Sequence, residues 1–571
     1  MTGTTKITES KIEASEPSTQ LDWSKPGPGS WQLDGSHFEP DCSRLVQRVI
    51  AHGMTEGMAQ GFDLIGGPLK GLEAAFVNGN FYYRLVPLVA GNLDLPLPPA
   101  PVLWVLTRTH PAFRRQAKKA ERALAGRVWN EELADWKNIH RPYMIENSSR
   151  LTAEDPGSMT DEQLADHLAE LIELLFHGAT LHFRLHVSDL GPIGLLLVET
   201  REWGLDKVDV MATLAGSSPA TSAPAVALAK VAEAVEGHGP FNDLDAVRSV
   251  SPEAAGLLDS FLDEYGWRLT TGYDLSEMTL HELPAVTLGA INAPARAGGP
   301  TVVEETAQAV GDAAADRLRQ QLQPDDRDEF DRLVSDARDL YGLRDENGPV
   351  TYQWPAGLVR RALLEAGRRL LATGRINDSE HIFDLEADEL DGLLRGASTP
   401  SVDVLADRCA ERQSFKQHAA PAWLGPEPDD PPLWTMPSSL AKLMDVVLTV
   451  MTLIESDRTT PSLEGVGIGT EPYVGTARVV TDEIDALSRM APGDVLVAPF
   501  TVPTYNAVLA IAGAVVVENG GLLCHAAVIA REYGIAGLVG VAGVTSQIPD
   551  GATVRVDPAA GTIRVLATDG V

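Results

Sequence analysis

The sequence predicts a multidomain α+β protein, in which a large, mainly α-helical domain is followed by a small α/β domain. Its 571 residues are more than one hydrophobic core usually holds. Hydrophobic residues recur at helical spacing as far as about Ile454, and from about Gly465 the pattern changes to short strands. Between these regions, the segment from Pro421 to Pro437 contains six prolines, which remove hydrogen-bond donors and stiffen the backbone.

These patterns divide the chain into four segments. Residues 1–20 are predicted to be a disordered tail, because they contain no apolar stretch that would suit a signal peptide. Residues 21–420 form the predicted helical domain, residues 421–464 a proline-rich linker and helix, and residues 465–571 the small α/β domain. Glycines in the segment Gly465–Gly469 allow large backbone rotation, so we expect this segment to be the hinge into the small domain.

Two helices of the large domain have clear ends in the sequence. Thr160 and Gln163 form a capping-box pattern, and leucines follow at helical spacing. A second helix is predicted over Leu358–Thr373, with Gly374 as its stop. Two stretches of small residues are expected to be loops, namely residues 215–225 and 293–300.

The small domain is predicted to contain short strands interrupted by two helices. The expected strands are Tyr473–Val480, Val495–Ala498, Ala514–Glu518, Gly537–Val539, Thr553–Asp557 and Thr562–Val565. The helices are expected at Val502–Ala512 and His525–Tyr533, and Gly534 ends the second of them.

Composition and charge exclude several classes of partner and site. The chain has 80 Asp and Glu residues against 46 Lys and Arg, a net charge of -34. Such a surface repels phosphate backbones and anionic lipids, so we expect neither a nucleic-acid nor a membrane partner. Cys42, Cys409 and Cys524 form no CxxC pair, which argues against a disulfide scaffold or thiolate zinc site and fits a cytoplasmic location. The apolar run Val446–Ile454 is far shorter than the ~20 residues of a membrane span.

The segment around His525 carries the strongest chemical signal. A buried strand, a Gly520–Gly521 loop and a helix that begins near His525 follow one another. The free N–H groups and positive dipole of a helix start stabilise an anion and keep the imidazole neutral. We therefore predict that His525 forms a covalent phosphoryl intermediate, cradled by the backbone of Gly520, Gly521, Leu523 and Cys524. The alternative is a helix-capping histidine without chemistry, which the glycine loop and the small neighbouring side chains disfavour.

Residues 465–571 resemble the phosphohistidine swivelling domain of the phosphoenolpyruvate-utilising dikinases, which include pyruvate phosphate dikinase, phosphoenolpyruvate synthase and rifampicin phosphotransferase. The motif runs from Gly520 to Ala536 and contains His525-Ala-Ala followed by Ala-Arg-Glu. The resemblance implies that His525 is the phosphocarrier. Cys524 replaces the hydroxyl residue of the family, and Val502 stands where the family often has Asp. We expect both departures to affect the rate of phosphoryl transfer more than the role of His525 as phosphocarrier.

Upstream parts of the chain also resemble the acceptor-binding domain of the rifampicin-phosphotransferase-like branch. The resemblance lies in Phe261–Arg268 with Tyr273–Leu275, in Leu358–Leu390 and in residues 20–100. The candidate acceptor-site residues are His37, His182, His186, Arg268 and Asp274. The alternatives are ordinary packing for the two helical histidines, a structural Arg–Asp pair, and a solvated loop histidine. No acidic partner is placed beside His182 and His186, so no metal site is predicted.

The resemblance implies a split dikinase. Residues 1–465 contain no strand-rich stretch with a phosphate-binding glycine loop, so ATP and Mg²⁺ are expected on a separate ATP-grasp subunit, with no cofactor held permanently by this chain. The implied activity moves a phosphoryl group from ATP, through His525, to the hydroxyl group of a small acceptor molecule. We expect this acceptor to be phenolic. The alternatives are a non-catalytic phosphohistidine carrier or regulatory module, and a ligand-binding protein with a vestigial swivelling domain.

Overall fold

The predicted α+β architecture is confirmed in the computed structural model, where a large helical region precedes a small sheet domain. The structure describes residues 21–34, 38–269, 272–292, 299–429, 431–454, 462–481, 485–486, 489–501 and 505–567. Among these residues, no helix is both long enough and apolar enough to cross a membrane.

Helices dominate the first part of the chain. They are α1 (Arg44–Ile65), α2 (Ala100–Thr109), α3 (Pro111–Gly126), α4 (Val128–Asp135), α5 (Arg141–Thr152), α6 (Asp161–Glu202), α7 (Lys207–Ala212), α8 (Pro219–Ala234), α9 (Leu244–Arg248), α10 (Pro252–Tyr265), α11 (Pro284–Asn292), α12 (Gly299–Gln321), α13 (Arg327–Gly348), α14 (Trp354–Ala372), α15 (Ala387–Leu394), α16 (Val402–Ser414) and α17 (Ser438–Ile454).

A four-stranded antiparallel sheet, which the sequence did not predict, accompanies these helices. Its strands are β1 (Trp31–Leu33), β2 (Leu69–Val77), β3 (Asn80–Pro87) and β4 (Trp423–Leu424), in the spatial order β2-β3-β1-β4. Strand β4 belongs to the proline-rich segment and pairs with β1, Trp31 opposite Leu424. The beginning of the described chain is therefore joined to the segment that precedes the small domain.

Helix α6, 42 residues long, is the centre of the helical domain. The predicted capping box is confirmed, because Thr160 and Gln163 exchange hydrogen bonds at its start. Helix α1 packs unusually close to α6 through three glycines at four-residue spacing. A Cβ added at Gly57 would lie 2.4 Å from the Thr180 carbonyl oxygen, and Gly53 and Gly61 are similarly crowded. Only glycine permits this approach of the two backbones.

One expected helix is confirmed and one expected loop is wrong. Helix α14 ends at Ala372, just before Thr373, and Gly374 follows with a left-handed φ of 68°. Residues 215–225 instead run into helix α8, which begins at Pro219. Alanine favours helix, and proline is well tolerated in a first turn, so the small residues do not mark a loop here. Of the other expected loop, residues 293–298 lie outside the described residues, and α12 begins at Gly299.

The small domain is built on a seven-stranded mixed sheet. Its strands are β5 (Val466–Ile468), β6 (Tyr473–Val479), β7 (Val495–Ala498), β8 (Ala514–Val517), β9 (Ala536–Val539), β10 (Thr553–Asp557) and β11 (Thr562–Ala567), in the order β11-β10-β6-β7-β8-β9-β5. Strands β6 to β9 are parallel, and the outer pairs are antiparallel. The helices are α18 (Asn506–Leu509), α19 (His525–Tyr533) and α20 (Val544–Gln547). The predicted strands and the helix at His525 are confirmed, whereas the helix predicted at Val502–Ala512 is shorter, and residues 502–504 lie outside the described residues.

The segment expected to be a hinge contains strand β5. Its central residues, Val466–Ile468, pair antiparallel with β9 at one edge of the sheet. A Cβ added at Gly467 would lie 1.9 Å from the carbonyl oxygen of Pro558, so this glycine permits close backbone contact. The hinge role of Gly465–Gly469 stays a prediction.

Candidate carrier site and interdomain cavity

The carrier histidine is positioned by the loop between β8 and α19. Gly520 in this loop has a φ of 104°, and a Cβ there would lie 2.6 Å from the Cβ of Cys524, so glycine is required. Cys524 is the N-cap residue of α19 and makes no side-chain capping bond. His525 is the first residue of the helix, as the sequence predicted.

Two of the expected phosphate-cradling amides are engaged within the protein. The Leu523 amide donates a hydrogen bond to the Leu453 carbonyl of α17 at 3.1 Å, and the Cys524 amide donates to the Gly521 carbonyl at 3.1 Å. The predicted cradle of Gly520, Gly521, Leu523 and Cys524 is therefore brought together around the turn, but with these two N–H groups directed elsewhere in this arrangement.

Both ring nitrogens of His525 have a partner. Nδ1 lies 2.9 Å from the Thr501 hydroxyl, and Nε2 lies 2.8 Å from Asn506 Oδ1. Thr501 is buried, whereas Asn506 lines a large cavity. Both partners belong to the small domain, but only Asn506, at Nε2, is part of the cavity wall together with His525.

His525 is held neutral by its surroundings. Burial, together with the nearby Arg344 charge, lowers the pKa of the imidazole to about 4, although Asp345 acts in the opposite direction. The sequence analysis expected a neutral ring from the helix dipole; the structure adds burial as the larger cause. A neutral imidazole retains the lone pair that a nucleophile needs.

Arg344 and Asp345 are cavity residues that the sequence analysis missed. Arg344 Nη2 donates to the Leu523 carbonyl oxygen at 2.6 Å, and Arg344 Nη1 contacts Asp345 Oδ1 at 2.8 Å. These residues end helix α13, about 180 positions before His525. Their closeness to the carrier could not be found from sequence spacing alone.

A cavity of about 1250 Å³ lies between the helical domain and the small domain. His525 is part of its wall. The aromatic residues of the wall are Phe38, Phe62, Phe81, Tyr83, Trp129, Phe183, Phe241, Phe261, Tyr265, Tyr273 and Tyr533. Apolar side chains of α1, α8 and α17 complete much of the remaining wall. Such a cavity suits a mostly apolar ligand, with polar groups at a few positions to orient it.

The two helical histidines meet each other in the cavity wall. His182 Nε2 lies 3.1 Å from His186 Nε2 and 3.2 Å from the Tyr273 hydroxyl. On its other side, His186 Nδ1 lies 3.2 Å from Asp189 Oδ2. The acidic partner is therefore present, three residues along the same helix. In the described part of the chain, no group of three or more His, Cys, Asp or Glu side chains is arranged to hold a metal ion.

Arg268 lines the cavity without an ionic partner. Its guanidinium stacks over the Tyr265 ring at 4.5 Å, and within the described residues it makes no side-chain hydrogen bond or salt bridge. Burial lowers its pKa. The alternative of an Arg268–Asp274 pair is wrong, because Asp274 accepts hydrogen bonds from the Ser43 amide and the Ser276 hydroxyl.

Two other candidate acceptor residues are not in the described cavity wall. Asp274 holds the start of α1 through Ser43, which is the N-cap residue of that helix, and is not part of the wall. It therefore serves a structural contact, contrary to the expectation from sequence. His37 lies outside the described residues.

Polar contacts join the small domain to the helical domain at the C-terminal end of α19. Arg531 donates to the Tyr341 hydroxyl at 2.9 Å, and the Gly216 amide donates to Glu532 Oε1 at 3.2 Å. Burial, with the charge of Asp345, raises the pKa of Glu532 to about 7. Together with the contacts of Leu523, these bonds hold His525 at the cavity.

Comparison with known proteins assigns two parts of the chain. Residues 490–561 match the mobile domain of phosphoenolpyruvate-utilising enzymes, and residues 194–345 match the fourth domain of rifampicin phosphotransferase. The first of these matches contains His525, and the second contains Arg268 and Arg344.

Several curated proteins are similar over longer stretches. An uncharacterized phosphotransferase, YvkC of Bacillus subtilis, is 29% identical over 313 residues, which cover 54% of this chain and 36% of that protein. A rifampicin phosphotransferase of Streptomyces sp is 28% identical over 378 residues, 64% of this chain and 40% of that protein. Chondramide synthase of Chondromyces crocatus is 25% identical over 598 residues, 94% of this chain and 14% of that protein. The chain spans less than half the length of each.

Proposed function

We propose that this chain, which belongs to the rifampicin-phosphotransferase-like group of phosphoenolpyruvate-utilising enzymes, carries a phosphoryl group on His525 and delivers it to a hydroxyl group in the interdomain cavity. One observation supports this most strongly: His525 and Asn506, the partner of its Nε2, line a cavity whose wall is formed largely by the helical domain. A structural capping histidine has no need of such a position.

Nε2 is the nitrogen that would bear the phosphoryl group. Asn506 Oδ1 only accepts, so in this arrangement Nε2 carries the ring hydrogen and Nδ1 accepts from the Thr501 hydroxyl. For phosphorylation the ring hydrogen moves to Nδ1, which then donates to the Thr501 oxygen, and Nε2 offers its lone pair to phosphorus as Asn506 gives way. Transfer to the acceptor breaks the P–Nε2 bond, whose electron pair returns to the ring, and forms a P–O bond to the hydroxyl oxygen. Arg344 lies beside the carrier loop and would offset the negative charge of the phosphoryl group.

The acceptor is expected to be a mostly apolar, hydroxyl-bearing small molecule, with an aromatic or phenolic group as the preferred case. The many aromatic side chains of the wall support this class, and the volume of about 1250 Å³ admits a molecule much larger than phenol. The names of the rifampicin phosphotransferases favour a bulky acceptor as well. His182, His186 and Arg268 are the proposed polar contacts to it.

Charging of His525 is proposed to occur on an ATP-grasp partner, expected on a separate chain and requiring ATP with Mg²⁺. Residues 21–420 would bind the acceptor, residues 421–464 would link the domains, and residues 465–571 would swing between the two sites. The contacts that hold the small domain are a few hydrogen bonds and an apolar interface, which a swinging domain can break and remake.

The test is transfer of label from ATP to His525. The chain is incubated with its ATP-grasp partner, Mg²⁺ and either γ- or β-labelled ATP, and acid-labile label on the protein is measured. Wild type is expected to gain label from one of the two positions, and His525→Ala none. Thr501→Ser, which keeps the hydroxyl, serves as the matched control and should label normally. Absence of acid-labile label on wild type would contradict the proposal.

A further inference from the structure

A chain of four hydrogen-bonded side chains lies in and behind the cavity wall. The Tyr273 hydroxyl contacts His182 Nε2 at 3.2 Å, and the same nitrogen contacts His186 Nε2 at 3.1 Å. His186 Nδ1 in turn contacts Asp189 Oδ2 at 3.2 Å. Tyr273, His182 and His186 line the cavity, whereas Asp189 is fully buried behind them. These four residues are called the histidine relay below.

Asp189 sets the tautomers of the relay. A carboxylate only accepts hydrogen bonds, so His186 carries its hydrogen on Nδ1 and presents a lone pair at Nε2. That lone pair accepts the hydrogen on His182 Nε2, and it becomes open to the cavity when this hydrogen is donated to the Tyr273 oxygen instead. A proton that His186 Nε2 then takes converts His186 into an imidazolium that the buried Asp189 carboxylate stabilises. A base oriented by a carboxylate is the arrangement that general-base catalysis uses.

Helix α13 contacts both the relay and the carrier loop. One turn apart on this helix, Asn347 Nδ2 donates to the His182 carbonyl oxygen at 3.0 Å, and the Arg344 guanidinium donates to the Leu523 carbonyl oxygen, two residues before His525. Burial opposes the charge of Arg344, but Asp345 and Asp189 raise its pKa, and its own charge acts on Tyr273. Both the buried end and the cavity end of the relay are thus within electrostatic range of the group that touches the carrier loop.

We propose that the histidine relay takes the proton from the acceptor hydroxyl during phosphoryl transfer. As the acceptor oxygen bonds to phosphorus and the P–Nε2 bond of His525 breaks, the hydroxyl proton passes to the lone pair of His186 Nε2. That lone pair is open when the His182 Nε2–H donates to the Tyr273 oxygen. This inference rests on the proposed function, and it adds a catalytic group, His186, together with Asp189, His182 and Tyr273 as positioning residues.

The composition of the wall favours this role over packing. The relay is a polar chain in a largely apolar cavity, and buried polar groups are retained only at a cost that their hydrogen bonds must offset. In the described residues, Asp189 Oδ1 has no hydrogen-bond partner. A carboxylate whose one oxygen contacts only a histidine is better suited to hold a cation that forms transiently than to hold the fold.

The experiment separates charging of His525 from its discharge. Phosphoramidate, a small donor, charges histidine without an ATP-grasp partner: the lone pair of Nε2 bonds to phosphorus and ammonia leaves. After its removal, loss of phospho-His525 is followed by ³¹P NMR with 4-phenylphenol as the acceptor. His525→Ala gives the baseline, and the full chain is used throughout.

The informative variants are Asp189→Asn, His186→Ala and Tyr273→Phe. We expect each to charge like wild type and to discharge to the phenol about 100-fold more slowly, the scale of a lost general base. Added imidazole is expected to restore discharge in His186→Ala, which a purely structural defect would not permit. The control is His177→Ala, on the same helix outside the cavity wall. It should discharge at the wild-type rate.

The outcomes distinguish this inference from the proposed function. If wild type does not charge above His525→Ala, the carrier role itself fails. If wild type charges, but Asp189→Asn and His186→Ala lose phospho-His525 as fast as wild type does, the relay is overturned. This holds whether the shared rate is fast or equals that of spontaneous hydrolysis. Slower discharge without rescue by imidazole also counts against it. Thermal melting of Asp189→Asn within a few degrees of wild type confirms that this near-isosteric variant is folded.

Discussion

Raising the pH from 5 to 8 is expected to weaken the contact between the small domain and the helical domain through Glu532. The docked carboxyl has a pKa of about 7 instead of the usual 4.5, because it is buried and lies near Asp345, although Arg531 and the amides of Gly216 and Ser218 favour its charge. Docking of the small domain on the helical domain is therefore accompanied by binding of a proton to Glu532. The resulting stabilisation of the docked arrangement is complete below about pH 4.5 and is lost as the pH rises through about 7.

The size of this effect follows from the two pKa values. Their difference corresponds to at most about 3 kcal/mol, since one pKa unit is about 1.4 kcal/mol and part of the burial of Glu532 persists within its own domain. Glu532→Gln should keep the hydrogen bond from Gly216 and remove the pH dependence. Solution scattering at pH 5 and pH 8 would report the weakened domain contact as a larger radius of gyration for wild type at pH 8. Glu518→Gln is the control, because Glu518 contacts Thr545 inside the small domain. Equal pH dependence in wild type and Glu532→Gln would refute the reasoning.

Three further perturbations test other parts of the structure. Gly57→Val should destabilise the chain by more than about 3 kcal/mol in calorimetry, because its Cβ would meet the Thr180 carbonyl oxygen, whereas Gly256→Ala has open space and should be neutral or stabilising by about 0.5 kcal/mol. An unchanged melting temperature in Gly57→Val would contradict the close packing of α1 on α6. Thr501→Val should slow charging of His525 by phosphoramidate about tenfold, the loss of roughly one hydrogen bond, and equal rates would exclude its orienting role. Gly520→Ala should cost about 1–2 kcal/mol through its φ of 104°, measured by urea unfolding, and a smaller effect would mean that the loop can relax.

The small domain could be predicted because its signals are local. Continuous apolar runs such as Val495–Ala498 and Ala514–Val517 mark buried parallel strands, and the glycine loop with His525 marks a helix start. The boundaries of helix α19 follow from the sequence to the residue, because Gly534 ends it in the left-handed conformation that glycine adopts readily.

The acceptor cavity could be predicted only in part, because its residues come from distant parts of the chain. The spacing of His182 and His186 placed both on one face of a helix, and Asp189, one turn later, was a signal that could have been used. Tyr273 and Arg344, in contrast, reach the same cavity through packing of separate elements. Strand β4 escaped prediction for the same reason, since it is about 390 residues from its partner β1. The β2–β3 hairpin, in contrast, has a local signal in its Asn78–Gly79 turn that could have been used.

Under the proposed function, the pairing of β1 with β4 limits how far the phosphoryl group can travel. Strand β4 and helix α17 are fixed on the helical domain, so the pivot of a swinging movement comes after Ile454, and strand β5 begins at Val466. Residues 462–465, just before this strand, already bond to the small domain, so the tether is residues 455–461, which fully stretched would span at most about 25 Å. His525 can therefore reach only points around Ile454 that lie within the length of this tether plus the width of the small domain. A nucleotide-bearing partner must present its donor phosphate within that distance. The length of the tether, more than the cavity, limits which partners can phosphorylate His525.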